Sequence, residues 1–72
     1  MNSAAAKYSP EFIKSVADKF AAKIERNGGE APCRMAGEAI AVFHSERFER
    51  VGSRAGGFQS TESIWRIKGA AQ

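Results

Sequence analysis

The stretch that decides the fold is residues 47–68, which read RFERVGSRAGGFQSTESIWRIK. Two runs of apolar and basic residues, Phe48–Val51 and Ile64–Lys68, stand at its two ends. Between them, residues 53–63 contain a Gly-Gly pair and several hydroxyl side chains, which is a strong chain-break signal. The pattern predicts a β-hairpin with a long, flexible tip and with arginines on its arms.

The second arm, Ile64–Lys68, has the composition of a strand, because β-branched and aromatic residues predominate in it. Alternation along a strand gives Trp65 and Ile67 one face. The other face then carries Ile64 and Arg66. We expect Trp65 to be the core residue that holds the hairpin to the helices, although an exposed interface anchor is the alternative.

The first arm is ambiguous. Phe48 and Val51 suit a strand, but they also continue the helical spacing that passes through Ile40. Residues 45–54 are therefore left open between helix and strand, since periodicity over so short a run does not separate them.

Upstream of the hairpin, Ser9 and Pro10 begin a helix, because serine is a favoured N-cap and proline suits the first helical position. Apolar residues then recur at helical spacing as far as Ile24. Residues 27–29, Asn-Gly-Gly, end the helix, since glycine tolerates the left-handed C-cap geometry.

A second helix is predicted to begin near Pro32. Its apolar and small residues repeat at intervals of three and four and share one side: Met35, Ala36, Ala39, Ile40 and Phe43. The fold class expected from these elements is α+β, with two packed helices followed by a C-terminal β-hairpin in a small single domain.

This domain is expected to span residues 9–69, between a flexible N-terminal arm at 1–8 and a tail at 70–72. The expected core combines helical and hairpin side chains: Phe12, Val16, Phe20, Ile24, Met35, Ile40, Phe43, Phe48, Val51, Trp65 and Ile67.

A chain of 72 residues has a small core, and such a core rarely supplies more than about 3–5 kcal/mol without a staple. The one cysteine, Cys33, cannot form an internal disulfide, and with the one histidine, His44, it cannot build a metal site. We therefore expect no metal or cofactor, and a homodimer is a reasonable expectation. The unpaired cysteine fits a reducing compartment. With no signal-like or membrane-spanning stretch, the expected location is the cytoplasm.

Catalysis is not expected. Acid–base or nucleophilic chemistry requires a positioned pair of groups, and the chain has one His, one Cys and one Asp. The Gly-Gly pair also lacks the lysine and the following helix of a phosphate-binding loop. The chain is interpreted as a non-enzymatic protein without a small-molecule substrate.

The charge pattern favours a polyanionic partner. The net charge is +3, and five of the six arginines lie at or beyond Arg34. Guanidinium groups bind phosphate bidentately, and cations that neutralise phosphates release counterions. The expected DNA- or partner-binding residues are those on the hairpin arms and tip: Arg47, Arg50, Arg54, Phe58, Gln59, Arg66 and Lys68.

Residues 24–32 and 35–40 resemble the first two helices of winged helix-turn-helix domains, and residues 47–52 and 64–69 resemble the two strands of the wing. The resemblance implies a dimeric DNA-binding regulator or accessory protein whose wing contacts the duplex. Because few residues separate Ile40 from Phe48, residues 41–47 would have to serve as a truncated recognition helix.

The alternative is a protein-binding inhibitor or adaptor of the kind that mobile genetic elements encode, with a host protein as its partner. Phe58, Trp65 and the neighbouring arginines would form its contact surface, because aromatic residues and arginine dominate interface hot spots. A third possibility is a homo-oligomer that packs through the small residues Ala36, Gly37 and Ala39.

Overall fold

The structure, a computed structural model, describes residues 8–57 and 60–69. The order of elements is α1 (Pro10–Arg26), β1 (Ala31–Pro32), α2 (Ala36–His44), β2 (Phe48–Gly57) and β3 (Ser60–Ile67). The strands form one antiparallel sheet in the order β1-β3-β2. The α+β fold in a small single domain is confirmed. Most of the expected arm (residues 1–7), the expected tail (70–72) and two of the expected binding residues, Phe58 and Gln59, lie outside the described residues.

Helix α1 begins and ends as the sequence predicts. The Ser9 hydroxyl accepts a hydrogen bond from the backbone N–H of Phe12 at 3.0 Å, and Pro10 follows in the first turn. Asn27 is the C-cap, and Gly28 and Gly29 have positive φ angles of 88° and 120°, a region that glycine enters without steric cost.

The prediction that the second helix begins near Pro32 is wrong. Pro32 lies in β1, opposite Ile64 of β3, and α2 begins at Ala36. Proline fits this place because β1 is an edge strand, in which one side of the backbone needs no N–H donor for the ladder. The backbone N–H groups of Arg34 and Met35 both donate to the Glu38 carboxylate, at 2.7 and 3.1 Å, which stabilises the helix start after this segment.

Of residues 45–54, which the sequence leaves open between helix and strand, 48–54 are strand and 45–47 are neither. The predicted long loop at 53–63 is also wrong, because β2 runs to Gly57 and β3 starts at Ser60. Register shifts at Val51 and Gly56 mark two bulges in β2. Bulges admit extra residues into a ladder, so the glycine-rich segment is taken up in a long hairpin.

The core lies between the two helices and one face of the sheet. Its buried large side chains include Phe20, Ile24 and Phe48, and Trp65 and Ile67 pack against them. Phe20 and Phe48 meet edge to face, with ring centroids 5.0 Å apart, a favoured geometry for aromatic pairs. The expected role of Trp65 in holding the hairpin to the helices is confirmed.

Four expected core residues are exposed instead: Phe12 (44 %), Met35 (68 %), Phe43 (67 %) and Val51 (39 %). Each has a local cause. Met35 precedes the helix as an extended N-cap residue, and Val51 is the extra residue of a bulge. Phe43 lies on the side of α2 away from the buried Ala41 and Val42. Phe12 stacks on Tyr8 at the start of α1, with 5.6 Å between ring centroids.

Over the ranges that the structure describes, neither helix has the length and apolar character required to cross a membrane.

Candidate nucleic-acid interface

The sheet has two unlike faces. Ladder partners share a face and successive residues alternate, so the helices cover the side that carries Phe48, Trp65 and Ile67. We call the opposite side the outer face. In the described part of the chain no helix lies over it, and its side chains are Pro32, Arg34, Glu49, Arg54, Glu62, Ile64 and Arg66.

Glu62 lies between two arginines on the outer face. Its carboxylate accepts Nε of Arg34 at 2.8 Å, Nη2 of Arg34 at 3.1 Å and Nε of Arg54 at 2.7 Å. The Glu62 side chain is 9 % exposed, whereas those of Arg34 and Arg54 are 57 % and 55 % exposed. The hydrogen bonds from Arg34 and then Arg54 lower the pKa of Glu62 from 4.5 to about 2. At neutral pH this cluster is therefore two guanidinium groups around one ionised carboxylate.

A second ion pair lies further along the same face. Nε of Arg66 donates to Glu49 on the neighbouring strand at 2.5 Å, and the two residues are direct ladder partners. Between the two ionic groups lies Ile64, which is only 8 % exposed. Pro32 and Arg54 line one concavity with it, together with Asn27 and Glu30 from the turn between α1 and β1.

The structure separates the predicted binding residues. Arg54 and Arg66 lie on the outer face. Arg50, the ladder partner of Trp65, lies on the helix side, where its Nε donates to Ser63 Oγ at 3.1 Å. The remaining two described cations are set apart as well: Arg47 donates to Asp18 of α1 at 2.7 Å, and Lys68 is exposed just after β3.

The ion pairs of Arg47 extend to a third residue. Asp18 also accepts Lys14 Nζ at 2.9 Å, and the hydrogen bonds from Arg47 and then Lys14 lower the pKa of its carboxyl. Arg47 is thus tied to the surface of α1 and does not join Arg54 and Arg66.

Arg34 is a member of the site that sequence reasoning missed. It stands 28 residues before Glu62, in a segment that appeared to start a helix. The only signal for it is the register of β1. Pro32 pairs with Ile64, and the same register continued by two residues past the end of β1 would bring Arg34 to Glu62. A strand of two residues leaves no periodic pattern that could reveal this pairing.

A different surface surrounds the exposed end of α2. The rings of Phe43 and Trp65 are nearly perpendicular, with centroids 6.1 Å apart, and Phe43 is 67 % exposed. The indole N–H of Trp65 is buried and has no acceptor within the described residues. Buried donors of this kind are uncommon.

Within residues 8–57 and 60–69, no three His, Cys, Asp or Glu side chains come together in a way that could hold a metal ion. Burial raises the pKa of the Cys33 thiol, which favours the unreactive protonated form at neutral pH.

Comparison of the chain with protein-family models, with curated proteins and with solved structures gives no match. The site is therefore interpreted from its own geometry.

Proposed function

We propose that the chain is a non-enzymatic polyanion-binding protein, with duplex DNA as its simplest ligand, and that the outer face makes the contact. The observation that carries the proposal is the Arg34–Glu62–Arg54 cluster together with Arg66 on one uncovered face of the sheet. Three guanidinium groups against two carboxylates leave this face with one positive charge.

The ion pairs with Glu62 use only some of the N–H donors of Arg34 and Arg54. A guanidinium has five N–H donors, and Glu62 takes two from Arg34 and one from Arg54. Because the Arg34 and Arg54 side chains are 57 % and 55 % exposed, a phosphate can reach the donors that Glu62 does not take. The carboxylates stay nearby and repel it, and we therefore expect weak affinity.

The expected contacts are with the DNA backbone and not with base edges. Sequence readout in the major groove usually depends on a helix that presents polar side chains. Residues 41–44 form the last turn of α2, in which Ala41 and Val42 are buried, and only residues 45–47 separate this helix from β2. The resemblance to winged helix-turn-helix domains stays a prediction.

Fluorescence anisotropy with a labelled 20-base-pair duplex in low salt, about 20 mM, tests the proposal. Each good phosphate contact contributes about −0.9 to the slope of log K against log salt. We expect a slope of about −2 to −3 for wild type, and a slope about one unit closer to zero for Arg34→Ala or Arg54→Ala. Glu62→Gln should tighten binding several-fold, because it removes a negative charge between two arginines.

Matched controls lie on α1. Arg26→Ala and Glu25→Gln make the same charge changes at exposed positions of that helix. If these controls shift the affinity as much as the outer-face variants, only net charge matters and the proposed site is rejected. A wild-type domain without salt-sensitive DNA affinity rejects the function itself.

The second candidate is protein binding, and the observation that favours it is the exposed Phe43 beside a Trp65 whose indole N–H lacks an acceptor among the described residues. A pull-down from a nuclease-treated lysate tests it. Recovery of one protein in stoichiometric amount supports this function over DNA binding, provided that Phe43→Ser abolishes the complex and Arg54→Ala retains it.

A further inference from the structure

We propose that α2 pairs antiparallel with α2 of a second copy of this chain, about a two-fold axis that passes between Ala39 and Ile40. The contact surface consists of Ala36, Ala39, Ile40 and Phe43, which we call the α2 apolar surface. It lies on the side of the helix away from the buried Ala41 and Val42.

The α2 apolar surface carries no charge. Glu38 and His44 are the ionisable residues within Ala36–His44, and neither belongs to this surface. The Glu38 carboxylate is turned away to Lys23 Nζ at 2.5 Å and to the backbone N–H of Met35 at 3.1 Å. An apolar side of a helix is ordinarily packed against another element, whereas Phe43 on this surface is 67 % exposed.

The order of large and small residues makes this surface complementary to itself. A two-fold interface requires that if one residue contacts a second, the second contacts the first. With the axis between Ala39 and Ile40, antiparallel pairing sets Phe43 opposite Ala36 of the other copy and Ile40 opposite Ala39. Each large side chain therefore meets a small one, and the two-fold axis repeats both pairs.

Charge restricts the surface through which a second copy can dock. Each chain carries a net charge of +3, so two copies repel one another over most orientations. Like charges facing each other across an interface are costly, and self-pairing is therefore restricted to a surface without charge. The α2 apolar surface meets this requirement, because none of its four residues is ionisable.

The size of the surface sets the expected affinity. Nine helical residues are about 13 Å long, and the area that they present is well below the roughly 800 Å² per partner of a standard interface. We therefore expect a weak, concentration-dependent dimer, with a Kd on the order of 10–100 μM.

Sedimentation velocity between about 5 μM and 1 mM measures this equilibrium. Ala36→Phe sets two large side chains against each other and should raise the Kd at least about tenfold, the equivalent of 1.4 kcal/mol. The double variant Ala36→Phe/Phe43→Ala exchanges the large and small positions and should return the Kd to within about threefold of wild type. Because Phe43 contacts Trp65, circular dichroism must first establish that each variant is folded.

Disulfide trapping gives an independent test of the axis. In a Cys33→Ser background, Ala39→Cys brings two thiols close to the two-fold axis and should give a covalent dimer on mild oxidation. Glu25→Cys, at an exposed position on α1, is the matched control and should not.

A wild-type chain that stays monomeric at about 1 mM overturns the proposal, and the surface then belongs to a different protein. A dimer that Ala36→Phe leaves unchanged overturns it too, because association then uses another surface. A monomeric Ala36→Phe variant should still bind DNA, because the outer face is unchanged. Failure of the dimer proposal is therefore distinguishable from failure of the proposed DNA binding.

Discussion

The guanidinium group of Arg34 and the carboxylate of Glu62, 28 residues apart in the chain, are joined by two hydrogen bonds of 2.8 and 3.1 Å. This bidentate contact ties the segment after β1 to the hairpin. Arg54 completes it from the neighbouring strand at 2.7 Å. Glu62 thereby connects three stretches of chain.

We expect the contribution of Glu62 to stability to depend on pH. Its pKa falls from 4.5 to about 2 on folding, so the stabilisation is complete above the unfolded value and is lost as the pH falls towards the folded one. The difference in unfolding free energy between wild type and Glu62→Gln should therefore shrink between about pH 5 and pH 2. Urea titrations followed by Trp65 fluorescence measure it. A difference that does not change with pH would contradict the bridging role.

Phe48→Ala should unfold the domain or nearly so. Phe48 is 4 % exposed and packs on Phe20, and truncation of a buried phenylalanine costs about 3–5 kcal/mol, comparable with the whole stability of so small a core. Thermal melting by circular dichroism gives the readout. Phe12→Ala is the control, and its melting temperature should fall much less because Phe12 is 44 % exposed.

Two glycines should respond to alanine in opposite ways. Gly37 lies in α2, and a methyl group there would meet no atom within 4 Å, so Gly37→Ala should stabilise the monomer by about 0.5–1 kcal/mol. Gly57 has a φ angle of 114°, which alanine adopts only with strain, so Gly57→Ala should destabilise it. Denaturant unfolding at low protein concentration compares the two, and the same sign for both would refute this account.

Glu38→Ala should destabilise the start of α2. Its carboxylate accepts two backbone N–H groups and Lys23 Nζ. Burial opposes ionisation, but the hydrogen bonds from Lys23, Arg34 and Met35 outweigh it and lower the pKa of Glu38. Loss of a helix-capping side chain costs about 0.5–2 kcal/mol. Amide hydrogen exchange should quicken first at residues 36–39, whereas Glu11→Ala on α1 should leave them unchanged.

The sequence predicts the fold well where a strong local signal exists. Ser9, Pro10 and the Asn-Gly-Gly run define α1, because caps and glycines act locally. The alternation that separates Trp65 from Ile64 also predicts correctly which residues of β3 face the helices. These features depend on neighbours in the chain and not on distant contacts.

The remaining features depend on pairing between distant segments. Pro32 suits a helix start and an edge strand equally well, and only the ladder with β3 decides between them. The same ladder brings Arg34 to Glu62, so the most highly connected ionic cluster on the outer face could not be found from local pattern. The glycines at 56 and 57 indicated a loop, because a bulge and a turn have the same composition.

The low exposure of Ile64, 8 %, on a face that no described helix covers has one further consequence. Long arginine side chains shelter apolar surface with their methylene stems while their charged ends stay in water. On this face the arginine side chains would then cover apolar surface of the sheet in addition to contacting a ligand. The substitution Arg54→Ala would expose Ile64 to water. Lysine at position 54 would keep an aliphatic stem and the positive charge but lose the planar guanidinium group. Arg54→Lys would thus distinguish the covering of Ile64 from the bidentate binding of phosphate.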